Sequence, residues 1–170
     1  MPRLFSGKVI LYLLLLMVLD VCLMPALGPF RPILTYLWIL YVAFHAPSET
    51  LAASVMIGVL RDLAGSQPLG IETAGLAVVS TGLLFFMQKL AREFFPMRMM
   101  GAMIFVFSAL LMNLILANFL SPTPQITLYA LGACVASAVV SALLMPVFFF
   151  ITDYGFRDSV RNLRQYELFG

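Results

Sequence analysis

Residues 99–120 read MMGAMIFVFSALLMNLILANFL, twenty-two positions without one Asp, Glu, Lys or Arg. A helix needs roughly 20 mostly apolar residues to cross a bilayer, so this stretch is long enough to span without help. Ile126–Ile151 on its C-terminal side and Gly70–Gln88 on its N-terminal side are also long enough. Over all 170 residues, 62% are hydrophobic, 11% are charged and the mean hydropathy is +1.02. Soluble domains lie near 45–50% apolar and about 25% charged, and so little charge cannot cover a water-facing surface. The fold class is therefore an all-α, polytopic membrane helix bundle, forming a single domain over residues 1–170.

Three further apolar blocks precede these. Val9–Leu27 is interrupted only by Asp20, and Ile33–Ala46 and Glu49–Ala64 are both short. The turn His45-Ala-Pro-Ser-Glu49 separates the short pair, with Pro47 stopping one helix and Ser48 placed to cap the next. Thr123-Pro124 reads as an N-cap followed by proline at the first helical position of the last span, and Pro146 is expected to kink that span. The reading is thus six spans, approximately 9–27, 33–46, 49–64, 70–88, 99–120 and 126–151, followed by a tail at 152–170.

Orientation follows from the basic residues. With six spans and the N-terminus inside, Arg3, Lys8, Lys89, Arg92, Arg98, Arg157, Arg161 and Arg164 are cytoplasmic, and Arg31 and Arg61 are outside. Both termini are then cytoplasmic. A four-span alternative, with residues 33–64 as a re-entrant hairpin, keeps this parity but sinks Glu49 toward the bilayer centre, which costs a few kcal/mol. Arg3, Lys8 and Ala26 resemble parts of a signal peptide, but Asp20 in the apolar run and Met24 before the cut argue against cleavage. Cys22 and Cys134 both lie within spans and imply no disulfide framework.

Groups for chemistry are scarce. The single histidine, His45, excludes histidine clusters and reads as a solvated residue at a helix end. Gly65-Ser-Gln-Pro-Leu-Gly70 has the glycine spacing of a phosphate loop, but Ile71 and Glu72 stand where Lys and Ser/Thr are needed. It reads as a turn. There is no G-x-S-x-G and no carboxylate pair spaced for acid–base work, so the expectation is a protein without enzymatic activity, cofactor or metal. A net charge of +2 gives no reason to expect nucleic acid.

The polar residues inside the apolar blocks are Asp20, Arg61, Asp62, Glu72 and Asn113. Under the six-span topology all five fall in the outer half of the membrane, with Asp20 about 10 Å inside the boundary. They are either a cluster serving a binding site or partner interface, or an Asp20–Arg61 pair gluing helices together with the rest at the water boundary. The last span carries two rows of small residues, Ala130, Cys134, Ala138, Ala142 and Ala133, Ser137, Ser141. Such rows let membrane helices approach closely, within the bundle by default or against a partner. After Ile151, Phe156, Val160 and Leu163 share a helical face beside Arg157, Arg161 and Arg164, as in a short helix lying on the cytoplasmic leaflet.

Phe30-Arg31-Pro32, the aromatic-rich Leu37-Trp-Ile-Leu-Tyr41, Ala46-Pro47 and the run Gly58-Val-Leu-Arg-Asp62-Leu-Ala-Gly65-Ser-Gln-Pro-Leu69-Gly70 resemble the bacterial rod shape-determining MreD family. The match is strongest over residues 29–72, with Arg31, Pro32, Gly58, Asp62, Gly65, Leu69 and Gly70 as its motif positions. An aromatic final span, Met145-Pro-Val-Phe-Phe-Phe150, with a basic tail agrees in pattern. The resemblance implies a non-enzymatic inner-membrane component of the cell-elongation machinery. Its implied partners are an MreC-like single-span protein and, indirectly, the MreB filament, a RodA-type glycosyltransferase and a penicillin-binding transpeptidase, all in a setting of membrane lipid. The alternative is a small-solute carrier resembling the substrate-binding membrane subunit of a vitamin transporter, whose pocket would be the outer polar cluster.

Overall fold

The structure, a computed structural model, describes residues 7–64, 69–89, 95–120 and 127–169. Among these residues there is no strand, and six α-helices follow the six apolar blocks: α1 (Gly7–Val18), α2 (Leu34–His45), α3 (Thr50–Ala64), α4 (Ile71–Lys89), α5 (Phe95–Leu120) and α6 (Leu128–Phe169). Three stretches, Ala26–His45, Met97–Leu120 and Leu128–Gly155, are long and apolar enough to cross a membrane. A helix rises 1.5 Å per residue, so α2 and α3 reach only about 18 and 22 Å, short of a hydrocarbon core of roughly 30 Å.

Between α1 and α2 the chain makes a π-helical turn, Leu19–Leu23, then a 3-10 segment, Met24–Phe30. That segment breaks at Gly28, where φ is 59° and ψ is −128°, a region that a side chain would strain. The break sets up an extended lead-in, Arg31–Ile33, which α6 holds in place. Ser137 Oγ donates to the Pro29 carbonyl and Ile33 N–H donates to Ser141 Oγ, both at 3.1 Å. Ser137, Ala138, Ser141 and Ala142 are buried, so this part of the small-residue rows serves packing within the bundle. Ser141 lies roughly 20 Å along the axis from the start of α6, so α2 begins well below the end of its neighbour.

Every residue of α2 from Thr35 to Ala43 is buried. A helix apolar on all sides belongs in the centre of a bundle, and α2 contacts α1, α3, α5 and α6. Of the two short helices, α2 is covered all round and α3 on one face only. Leu51, Val55, Val59 and Leu63 recur every fourth residue and are exposed, while Ala53, Ser54, Ile57, Gly58 and Asp62 on the other face are buried. At Gly58 an added Cβ would sit 2.5 Å from Thr73 Cα, so this glycine is what lets α3 and α4 touch backbone to backbone.

Several boundaries differ from expectation. Thr123-Pro124 lies outside the described residues, and α6 is capped by Thr127, whose hydroxyl accepts the Ala130 N–H at 3.1 Å. Ser48 sits inside a 3-10 turn, Pro47–Glu49, and α3 follows from Thr50. The expected separate surface helix after Ile151 is absent. No proline follows Pro146, and α6 runs on through Gly155 to Phe169. His45, expected to be solvated, has only 20% of its side chain exposed. It stacks on Tyr41 at 4.3 Å between centroids, and its Nδ1 faces the Tyr41 carbonyl at 2.9 Å. Its Nε2 lies 3.7 Å from Asp153, which also accepts the Tyr41 hydroxyl at 2.9 Å, tying the end of α2 to α6.

Candidate functional site: a polar cluster at the head of the bundle

At the opposite end, where α2 and α4 begin, the first N–H groups of each helix lack partners within their own helix. Inside a bilayer no water supplies them. The chain solves this twice in the same way. Asp20, in the π-turn after α1, accepts Leu34 N–H at 2.9 Å, Thr35 N–H at 2.9 Å and Thr35 Oγ–H at 2.6 Å. Asp62, near the end of α3, accepts Glu72 N–H at 3.0 Å, Thr73 N–H at 3.1 Å and Thr73 Oγ–H at 2.6 Å. Each carboxylate is buried and faces the positive end of a helix macrodipole. Gly58 and Asp62 of the Gly-x-x-x-Asp motif lie one turn apart, and both meet Thr73, one by steric absence and the other by hydrogen bonding.

Arg61 joins the two caps. Its Nε donates to Glu72 Oε2 at 2.7 Å and its Nη2 reaches Glu72 Oε1 at 3.4 Å, while Nη1 reaches Thr35 Oγ1 at 3.1 Å and Asp20 Oδ2 at 3.4 Å. The guanidinium also lies 5.0 Å from the Tyr36 ring centre, within cation–π range. Tyr36 donates its hydroxyl to Glu72 at 3.1 Å and accepts from Asn113 Nδ2 at 3.0 Å, which carries the network to α5.

All five residues singled out in the spans therefore converge: Asp20, Arg61, Asp62, Glu72 and Asn113. The expected Asp20–Arg61 pair is present at 3.4 Å, but the shorter ion pair of Arg61 is with Glu72. Arg61 does not belong to an outer loop. Its side chain is 17% exposed and points into the bundle. Reading the spans by height alone missed Thr35, Tyr36 and Thr73. The available signal was a threonine in the first turn of two helices, each preceded by a carboxylate on the previous segment.

Beside the network lies a cleft of about 340 Å³ between the Gly28–Arg31 segment, α4, α5 and the first turns of α6. Arg31, Arg61, Glu72 and Asn113 supply its polar wall, and Leu110, Leu114 and Ala117 of α5 face Ala130, Ala133 and Cys134 of α6 across it. The outer members of the small-residue rows thus line a space. Of the motif positions, Arg31 is exposed at the cleft, Pro32 is buried, Leu69 is exposed and Gly70 turns the chain with a φ of 98°; Gly65 lies outside the described residues. Among the described residues, no three His, Cys, Asp or Glu side chains gather where they could hold a metal ion. The two aspartates are occupied by helix ends and threonine hydroxyls, and Glu72 by one guanidinium and one phenol. No protein-family model, curated protein or solved structure matches the chain.

Proposed function

We propose that the protein is a non-catalytic, multi-pass component of the bacterial cell-elongation complex, resembling MreD and acting in the inner membrane with an MreC-like single-span partner. Through that partner it would couple to the MreB filament, a RodA-type glycosyltransferase and a penicillin-binding transpeptidase. The supporting observation is that Arg31, Gly58, Asp62 and Gly70, residues of the family-like motif, gather at the end of the bundle that holds the polar network. A bundle whose polar groups are spent on joining helices suits a protein that works through helix contacts. Six spans with both termini cytoplasmic complete the reading, and reporter fusions after Gly170 and within residues 121–125 test it. Periplasmic activity at Gly170 sinks that topology. For the role itself, deletion of the partner gene should lower the protein's abundance or disperse it from elongation sites. Unchanged abundance, localisation and rod shape would count against it. The cleft favours a second reading, a small-solute carrier, under which a soluble molecule should co-purify with the protein.

A further inference from the structure

The two cations lining the cleft differ in their commitments. Arg61 is occupied by Glu72, Thr35 and Asp20. Arg31 is exposed at the cleft wall and has no ion-pair or hydrogen-bond partner among the described residues. One acceptor on the same wall is under-used. Glu72 Oε1 has only the long 3.4 Å contact with Arg61, while Oε2 takes two shorter bonds. Asn113 Oδ1 also has no donor, but it is buried against Gly75 of α4 and does not open to the cleft. The polar wall therefore offers one free guanidinium for an anion and one under-used carboxylate oxygen for an N–H or O–H group.

The remaining walls are apolar, and the volume of about 340 Å³ lies at the small end of ligand pockets. Phe119, Leu120, Leu128 and Tyr129, at the ends of α5 and α6, are exposed, so the rim is itself lipid-like. We propose that this cleft binds the headgroup of an ethanolamine phospholipid taken laterally from the membrane. The phosphate meets Arg31, the ammonium donates to Glu72 Oε1, and the glycerol region lies against Leu110, Leu114 and Ala133. A guanidinium matches phosphate oxygens in charge and geometry. A choline headgroup has the same charges but no N–H to donate, so it leaves Glu72 Oε1 with only its long contact to Arg61. The inference is independent of the cell-elongation reading.

The test uses the full chain in detergent, stripped of lipid and titrated with phosphatidylethanolamine, phosphatidylcholine or soluble phosphoethanolamine, with bound lipid counted by native mass spectrometry and stability by thermal unfolding. Phosphatidylethanolamine should be retained and raise the unfolding temperature by a few degrees, and the other two should do so much less. Arg31→Gln should weaken retention about tenfold, the loss of one charge-assisted contact, and Arg31→Lys should restore part of it. Ala133→Leu, which fills the cleft without changing charge, should abolish retention. Equal effects of the two lipids overturn the proposal, as does undiminished binding in Arg31→Gln and Ala133→Leu. A full effect from phosphoethanolamine alone replaces the lipid with a soluble zwitterion and overturns it too. Where a variant does not fold, the ligand series on the unaltered chain decides.

Discussion

Asp20 and Asp62 perform the same task in two places, and their surroundings differ. Each takes two backbone N–H groups and a threonine hydroxyl at the head of the following helix, with all distances between 2.6 and 3.1 Å. Asp20 serves a helix that starts deep in the bundle and has Arg61 within 3.4 Å. Asp62 serves a helix that follows a short turn, and its joint is closed by the bare backbone of Gly58. An isolated carboxylate in a bilayer is expensive, and an arginine is the usual remedy to look for. Here the helix end is the main partner in both cases, and the arginine is an addition in one.

The sharpest way to break this comparison is to remove each carboxylate. Asp20→Ala leaves two N–H groups, a hydroxyl and part of a guanidinium unanswered in the bundle, and should destabilise by about 3–5 kcal/mol. Asp62→Ala leaves no cation behind and should cost about 1–3 kcal/mol. Equal losses in thermal or denaturant unfolding in detergent would mean that Arg61 contributes nothing at Asp20. Gly58→Ala should come next, at about 1–3 kcal/mol, because its Cβ meets rigid backbone at Thr73. The matching position one turn before Asp20 is Leu16, which is itself buried, so Leu16→Ala should leave a cavity and relieve no clash. A Gly58→Ala protein as stable as the parent would show that α3 and α4 are not in backbone contact.

Double-mutant cycles sharpen the comparison further. Arg61→Gln with Glu72→Gln should show a coupling of about 1–2 kcal/mol, and Arg61→Gln with Asp20→Asn about 0.5 kcal/mol or less, following the 2.7 and 3.4 Å distances. The reverse order would return Asp20 to the role of principal counter-ion. The hydroxyls are the mildest of the single substitutions: Thr35→Val and Thr73→Val should each cost about 1 kcal/mol. A larger loss at Thr35, which also touches Arg61, is the expected asymmetry.

The helical blocks were legible because length and apolar content are local properties. Residues 99–120 and 126–151 read as helices from the letters alone, and the structure places α5 and, from Leu128, α6 there. The shared depth of Asp20, Arg61, Glu72 and Asn113 was legible, and it left open whether they form one cluster or an Asp20–Arg61 pair with the rest at the boundary. Their pairing was not legible, because depth leaves rotation about each helix axis undetermined, and that rotation turns Arg61 toward Glu72 on α4. Asp20 and Asp62 were hidden as caps for a different reason. A cap is sought just before the helix it serves, whereas these lie 14 and 10 residues away from the first N–H they accept. Thr123-Pro124 showed the opposite difficulty, since its strong local pattern drew attention from Thr127, whose hydroxyl caps α6.

The buried position of α2 has a consequence for how the chain is made. This twelve-residue helix has all its central side chains covered, and its lead-in is bonded to Ser141, which the ribosome adds more than a hundred residues later. Until α5 and α6 emerge, α2 lacks two of the walls that bury it. Biogenesis must therefore hold α2 and its Asp20 cap in a provisional setting, within the insertion machinery or as a shallow hairpin with α3. A nascent chain stalled before residue 128 should be a substrate for membrane proteases, and release of the last span is the event that converts it into a protected protein.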